Sequence, residues 1–476
     1  MRLVAGVDSS TQSCKVVVLN AETGELVRQA RTSHPGGTEV DPHAWWAALR
    51  SVLAEVDLTG VEALSIGGQQ HGMVCLDSNG DVIRPALLWN DTRSAQATEQ
   101  LITDLGGGDP AEGRRRWADA VGSVPVPSFT ITKLRWLADH EPDHAARIAA
   151  IALPHDWLTW KLLGGDLTTL ATDRSDASGT GYFDPVGNTY RRDLLALALR
   201  RTPTDIEHII LPRVLGPAQP AGYATINSHT VLIAPGCGDN AGAALGMGLH
   251  PSEGVLSLGT SGVVAVVSDE PTHDSTGLVA GFADATGGYL PLACTLNGAR
   301  ILDATAAVLD LTLPDMDTLA ATAEPGAGGL TLVPYFEGER TPNLPHATAS
   351  LHGMTLTSFT RANLARAAYE GLLCLMADAL TAVTHHRITL NRLTLTGGGA
   401  KAATVKALAP GILGVPIAIA PDAEYVARGA ARQAAWTANQ TTAPPEWPLD
   451  RTTAPTAEPT TQILTRYRTL RPWPTQ

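Results

Sequence analysis

The chain has 476 residues, room for about three average domains or two large ones. Its 34 Lys and Arg against 47 Asp and Glu leave a formal charge of −13, the reverse of the basic surplus that marks a nucleic-acid binder. Charged residues make up only 17% against an average of about 25%, and 46 glycines with 32 prolines exceed the usual shares, so loops built on small residues are expected to matter. No uninterrupted run of about 18 apolar residues occurs, and residues 1–7 lead straight into a strand pattern. The expectation is a cytoplasmic protein with neither membrane nor nucleic acid as partner. Its cysteines, Cys14, Cys75, Cys237, Cys294 and Cys374, are scattered without a Cys-x-x-Cys pair and are expected to be reduced and mostly buried.

Short β-rich runs alternate with Ala/Leu-rich stretches of helical period, which predicts an α/β protein. Residues 3–7, 15–19 and 26–31 read as strands. Asp41-Pro42 then supplies an N-cap and a first-turn proline for a helix over 43–56. Residues 61–66 form a buried strand that runs into Gly67-Gly68-Gln69-Gln70-His71-Gly72. The same order returns in the second half. Residues 254–257 and 263–267 flank Leu258-Gly259-Thr260-Ser261-Gly262, and a strand over 392–396 enters Gly397-Gly398-Gly399-Ala400 before an Ala-rich helix over 402–410. This recurrence predicts a duplicated domain, divided as 1–243 and 244–476. Residues 439–461, rich in Thr, Pro and Ala, read as a surface-hugging or mobile segment, and 463–470 as a closing helix. Arg114-Arg115-Arg116, the one dense basic run, reads as a solvated helix face.

Hairpin loops of Ser, Thr and Gly aim backbone amides and hydroxyls at one spot, which suits phosphate oxygens; each alone is also an ordinary tight turn. The glycine run at 397–399, between a strand and a helix, permits close approach of a nucleotide, and the helix N-terminus favours an anion. No loop has the Gly-x-x-x-x-Gly-Lys-Ser/Thr spacing of a P-loop. Asp8 follows a buried strand, where it either orients Mg²⁺ through water or merely opens the turn. Asp239, in Gly236-Cys237-Gly238-Asp239-Asn240, lies among glycines that let a substrate approach its carboxylate, or else it caps the helix that follows.

Eight segments in this order resemble the FGGY carbohydrate kinases: the hairpin over 8–15, Gly68-Gln69-Gln70-His71-Gly72, Leu88-Trp89-Asn90-Asp91-Thr92-Arg93, Phe129-Thr130-Ile131-Thr132-Lys133-Leu134, Gly238-Asp239-Asn240, Ser257-Leu258-Gly259-Thr260-Ser261-Gly262, Gly338-Glu339-Arg340-Thr341-Pro342 and Gly397-Gly398-Gly399-Ala400. The resemblance spans about residues 3–437 and is strongest to the members that act on D-xylulose. It implies two actin-like (ribonuclease H-like) ATPase domains with a deep interdomain cleft, sugar held mainly by the first and ATP mainly by the second. The implied reaction is phosphorylation of D-xylulose at its terminal hydroxyl by ATP with Mg²⁺, and a homodimer is allowed. Asp239 falls on the family's catalytic base and Asp8 on the aspartate that positions metal and phosphate. Gln70, His71, Trp89, Asn90, Asp91 and Asn240 fall on the sugar side. Ser10, Thr11, Gln12, Lys15, Gly259, Thr260, Ser261, Gly398, Gly399 and Ala400 fall on the ATP side. Two positions depart from the family pattern: Ser10 replaces a glycine, and Arg428 stands where an aliphatic residue is common. The rival readings are a related kinase for ribulose, fuculose, glycerol or gluconate, an actin-like ATPase without sugar chemistry, and a non-catalytic sugar-binding regulator.

Overall fold

Strand Leu3–Ser9 shows how the first half is built. Leu3, Ala5 and Val7 join one core cluster with Trp45, Leu49 and Val52 of helix Pro42–Glu55, while Val4 joins a second with Ala427, Ala431 and Ala434 of helix Tyr425–Asn439. Successive side chains of an extended chain point to opposite faces, so this strand is covered on both. It pairs antiparallel with Ser13–Asn20 and parallel with Val61–Gly68. The sheet runs from Gly222–Ile226 through His229–Ile233, Val61–Gly68, Leu3–Ser9 and Ser13–Asn20 to Leu26–Ser33.

The computed structural model describes residues 1–455 and 460–473. By its contacts the chain forms two units. The first comprises Met1–Leu249, Asp269–Leu290 and Ala423–Pro448; the second comprises His250–Ser268, Pro291–Asp422 and the chain from Leu449. A single cut between 243 and 244 therefore does not describe the molecule. Helix Asp239–Met247 runs through that point, and helix Tyr425–Asn439 packs on it within the first unit. Small residues make that packing close. A Cβ on Gly429 would lie 1.8 Å from the carbonyl oxygen of Gly242, and one on Gly246 would lie 2.0 Å from that of Tyr425. The two backbones touch, which fixes the helix that begins at Asp239.

The second unit repeats the order of the first. Strand Glu253–Leu258 pairs antiparallel with Gly262–Val266 and parallel with Arg392–Thr396, which in turn pairs with Ile417–Ile419. The core helix Arg361–Thr384 is long and apolar enough by composition to cross a bilayer, yet most of it is buried inside this unit, where it packs on helices Ala403–Leu413 and Leu313–Ala321.

Arg428 is a brace of the first unit: its guanidinium donates to the carbonyls of Gly24, Gly246 and Pro448 and lies over the ring of Trp447. In the basic run, Arg115 and Arg116 are exposed and pair with Glu112 on their own helix. The cysteines are free, four of them buried and Cys294 partly so. Within the Thr/Pro-rich segment Thr452–Thr453 pairs with Ile417–Ile419, residues 456–459 lie outside the described residues, and the closing helix is Thr461–Leu470.

Candidate active site

Asp8 sits near the end of its strand, opposite Lys15 in the hairpin register. Its Oδ2 is 3.4 Å from Lys15 Nζ, and that ammonium pairs more closely with Glu424, at 2.6 Å. The buried Oδ1 has no hydrogen-bond partner. Burial pushes the Asp8 carboxyl up to about 6, against the pull of Lys15. Ser10 has a φ outside the left-handed region, so a serine fits where the family has glycine; its hydroxyl donates to the Ser13 carbonyl at 2.9 Å. Thr11 donates to Gln69 at 3.2 Å and accepts the indole N–H of Trp89 at 2.9 Å. Gln12 is exposed. The loop thus brings Thr11 to Trp89 and Lys15 to Asp8, while Gln12 projects away.

Asp239 is the first residue of helix Asp239–Met247, with Gly238 in the cap position. It is therefore not the N-cap that the local sequence allowed. Its Oδ1 accepts the backbone N–H of Asn240 at 2.8 Å and the Asn240 side-chain amide at 3.0 Å. Asp239 keeps partial solvent access, but the protein packed around its carboxyl and the charge of Asp8 push it up to about 7, against the Asn240 hydrogen bond. Gly238 carries no side chain because a Cβ there would lie 2.7 Å from the Gln70 amide nitrogen. The Asn240 amide donates to Gln70 Oε1 at 3.1 Å, so Gln70, Asp239 and Asn240, distant in sequence, form one group.

His71 has φ 68, unusual for a residue with a side chain. Its carbonyl is held by Thr130 Oγ1 and Lys133 Nζ, each at 3.1 Å, and its ring stacks on Phe129 with centroids 4.8 Å apart. The Phe129-to-Lys133 motif therefore locks this turn. Burial pushes Lys133 down to about 7, against the attraction of Asp91. Nδ1–H of His71 donates to the Gly179 carbonyl at 2.6 Å.

Trp89 is exposed beside Thr11, and Asn90 has a buried Oδ1 without a hydrogen-bond partner. Asp91 is buried beside them. Its carboxylate accepts Thr38 Oγ1 at 2.8 Å, Arg93 Nε at 2.8 Å and the Arg93 N–H at 3.0 Å. Burial raises its pKa, but these bonds outweigh that and hold it below the usual range.

The second unit contains a cavity of about 620 Å³ whose walls include Gly259, Thr260, Gly398 and Gly399 with Leu302, Pro314 and Tyr369. Gly397, at φ 92, is forced to be glycine because a Cβ would lie 2.6 Å from the Leu258 carbonyl oxygen. A Cβ on Gly398 would meet nothing within 4 Å. Ser261 and Ala400, expected on the ATP side, are not among the lining residues. The helix N-terminus expected to attract an anion is already occupied: Asp317 accepts the N–H groups of Ala403 and Thr404 at 2.7 and 2.9 Å. Sequence reading missed this capping aspartate and the lining residues Arg300, Asp303 and Lys401, because single polar residues on helices carry no local signal. Apolar walls beside a glycine loop suit a flat heterocycle with a polyphosphate.

A fully buried cluster lies behind the Asp239 loop. His155 Nε2 is 3.1 Å from Asp176, 3.3 Å from Asp156 and 3.5 Å from Asp173. Burial opposes charge on this imidazole, but the three carboxylates outweigh it and push His155 up to about 9. The surrounding carboxylates favour the charged imidazole, and ligand atoms of His155, Asp156 and Asp176 all lie within 4.8 Å of one another.

The chain matches the models of the FGGY family of carbohydrate kinases, the N-terminal domain over residues 3–246 and the C-terminal domain over 254–438. It is 43% identical over 443 residues to a xylulose kinase of Streptomyces coelicolor, covering 90% of this chain and 87% of that protein. It is 34% identical over 424 residues to a xylulose kinase of Escherichia coli, covering 83% and 82%. The crystal structure of xylulose kinase from Bifidobacterium adolescentis superposes with a TM-score of 0.93 at 50% identity over 98% of this chain and 99% of that one. The repeated sheet order, the Asp8 and Asp239 loops and these matches place the chain in the FGGY family of carbohydrate kinases.

Proposed function

We propose that the chain transfers the γ-phosphoryl group of ATP to the terminal hydroxyl of D-xylulose, giving D-xylulose 5-phosphate and ADP. Similarity to the xylulose kinases of Streptomyces coelicolor and Bifidobacterium adolescentis over nearly the whole chain supports the choice of sugar. The observation that carries the chemistry is Asp239, whose carboxyl is raised to about 7 and hydrogen-bonded on one oxygen only by Asn240. A carboxylate near that value accepts a hydroxyl proton efficiently at neutral pH, a contribution typically of ~10²–10⁴-fold. As the sugar oxygen attacks the γ-phosphorus, its proton passes to Asp239 and the bond to the departing ADP oxygen breaks; the remaining work is alignment and charge stabilisation.

Gln70, joined to Asp239 through Asn240, and His71 next to it in the chain are the hydrogen-bonding partners for the ketose in this reading, with Trp89 and Asn90 beside the first loop. The cavity at Gly259, Thr260, Gly398 and Gly399 takes the nucleotide. The unpartnered Asp8 Oδ1 is a hard oxygen donor that suits Mg²⁺, directly or through water. When bound, that ion supplies neutralisation of phosphate charge. The test is an ADP-release assay across ketoses and polyols: D-xylulose should give the highest kcat/KM, and a higher value for ribulose, glycerol or gluconate would reassign the sugar.

A further inference from the structure

Ser175 is fully buried next to the Asp239 loop. Its hydroxyl donates to Asp173 Oδ2 at 2.6 Å and accepts the backbone N–H of Gly238 at 3.0 Å. Its own N–H goes to the same Asp173 oxygen at 2.8 Å, and its carbonyl accepts the Gln70 amide at 3.3 Å. Gln70 receives Asn240, and Asn240 holds Asp239. The contacts close a ring: Ser175 to Gly238, along the chain through Asp239 to Asn240, then Gln70, and back to Ser175. Asp173 anchors the ring from behind, 3.5 Å from the buried His155.

We infer that Ser175 is a positioning residue for phosphoryl transfer: its hydroxyl, oriented by Asp173, fixes Gly238 and so the place of the Asp239 carboxylate relative to Gln70. The inference rests on the reading of Asp239 as the base. A hydroxyl that donates to a carboxylate has its lone pairs left for an incoming N–H, so Asp173 sets the direction in which Ser175 accepts. Gly238 is itself buried, so its N–H has strong need of that acceptor. Without it the loop can shift, and misplacement of a reacting group by about 1 Å costs up to ~10²-fold in rate. The charged groups around Asp239 are Asp8 from strand Leu3–Ser9, with Lys15 and Glu424 beside it, and Asp176 with His155 from the buried cluster.

The experiment compares full-length Ser175→Ala, Asp173→Asn and Asp239→Ala with the parent chain. Ser175→Ala should lower kcat by about tenfold or more while leaving the KM for ATP unchanged. Its acid limb should move to lower pH, because a loosened loop admits water to a carboxyl that burial now raises. Asp173→Asn preserves volume and should show a smaller loss in the same direction. Unchanged kcat and pH profile in Ser175→Ala overturn the inference, as does a fall in kcat matched by a rise in the KM for ATP with no movement of the limb. If Ser175→Ala does not fold, Asp173→Asn decides by the same readouts. Near-normal turnover in Asp239→Ala would sink the base assignment itself; an inactive Asp239→Ala beside an unaltered Ser175→Ala removes only the role of Ser175.

Discussion

In the first unit the hairpin loop after strand Leu3–Ser9 lies beside Asp8 and Lys15, and the following parallel strand leads into Gln69, Gln70 and His71. In the second unit the equivalent loop, after Glu253–Leu258, borders a cavity whose walls combine glycines, Leu302, Pro314 and Tyr369 with Arg300, Asp303 and Lys401, and the equivalent parallel strand leads into three glycines. One strand order thus carries two kinds of loop. Carboxylates and hydrogen-bonding side chains on the first suit a polyol and a transferable proton. A bare glycine loop beside apolar walls and a few charged side chains on the second suits a nucleotide. A fold sets where loops lie, and the residues on them decide the chemistry.

That division can be broken most severely at Asp239. Asp239→Asn should cut kcat by ~10²–10⁴-fold, with ADP affinity by calorimetry unchanged; loss of nucleotide binding would mean that the units do not divide the work. In the second unit, Gly398→Asp places a carboxylate on the open side of the glycine loop, where it opposes an anionic ligand. The KM for ATP should rise roughly tenfold or more, with the KM for sugar unmoved. His71→Ala does the converse, raising the KM for D-xylulose about tenfold through a lost buried hydrogen bond; equal effects on both substrates would make His71 structural.

The smallest effect sharpens the electrostatics. Asp239 in its working form is ionised, so kcat/KM should fall as pH drops below about 7. The negative charge of Asp8 helps to raise that value. Asp8→Asn should therefore move the acid limb to lower pH, by up to about one unit, whatever it does to the maximum rate. A limb that stays in place would show that burial alone sets the Asp239 carboxyl.

The fold was largely legible from periodicity. Strand Arg392–Thr396 matches its expected bounds, and helix Pro42–Glu55 begins where Asp41 caps it, as Asp41-Pro42 predicts. The duplication was legible because both hairpins and both glycine-ended strands recur in order. The exchange of segments between units was not: Tyr425–Asn439 joins the first unit because its alanine face fits the strands of that sheet, a long-range match that no local pattern displays. At the site, Asp8, Gln70, His71 and Asp239 stood out because glycines and strand ends surround them. The partners of Asp91 were less legible, since Thr38, which donates to its carboxylate together with Arg93, is far away in the chain. Ser175 and Asp317 were invisible because their partners, Gly238 and the start of helix Ala403–Leu413, are far away in the chain.

The most direct measurement is the position of the new phosphate ester. After incubation of the protein with Mg-ATP and D-xylulose, phosphorus–proton correlation should show one ADP formed per ester and coupling to the C5 methylene protons alone. Inorganic phosphate with unaltered sugar, or an ester on any other oxygen, would contradict transfer to the terminal hydroxyl.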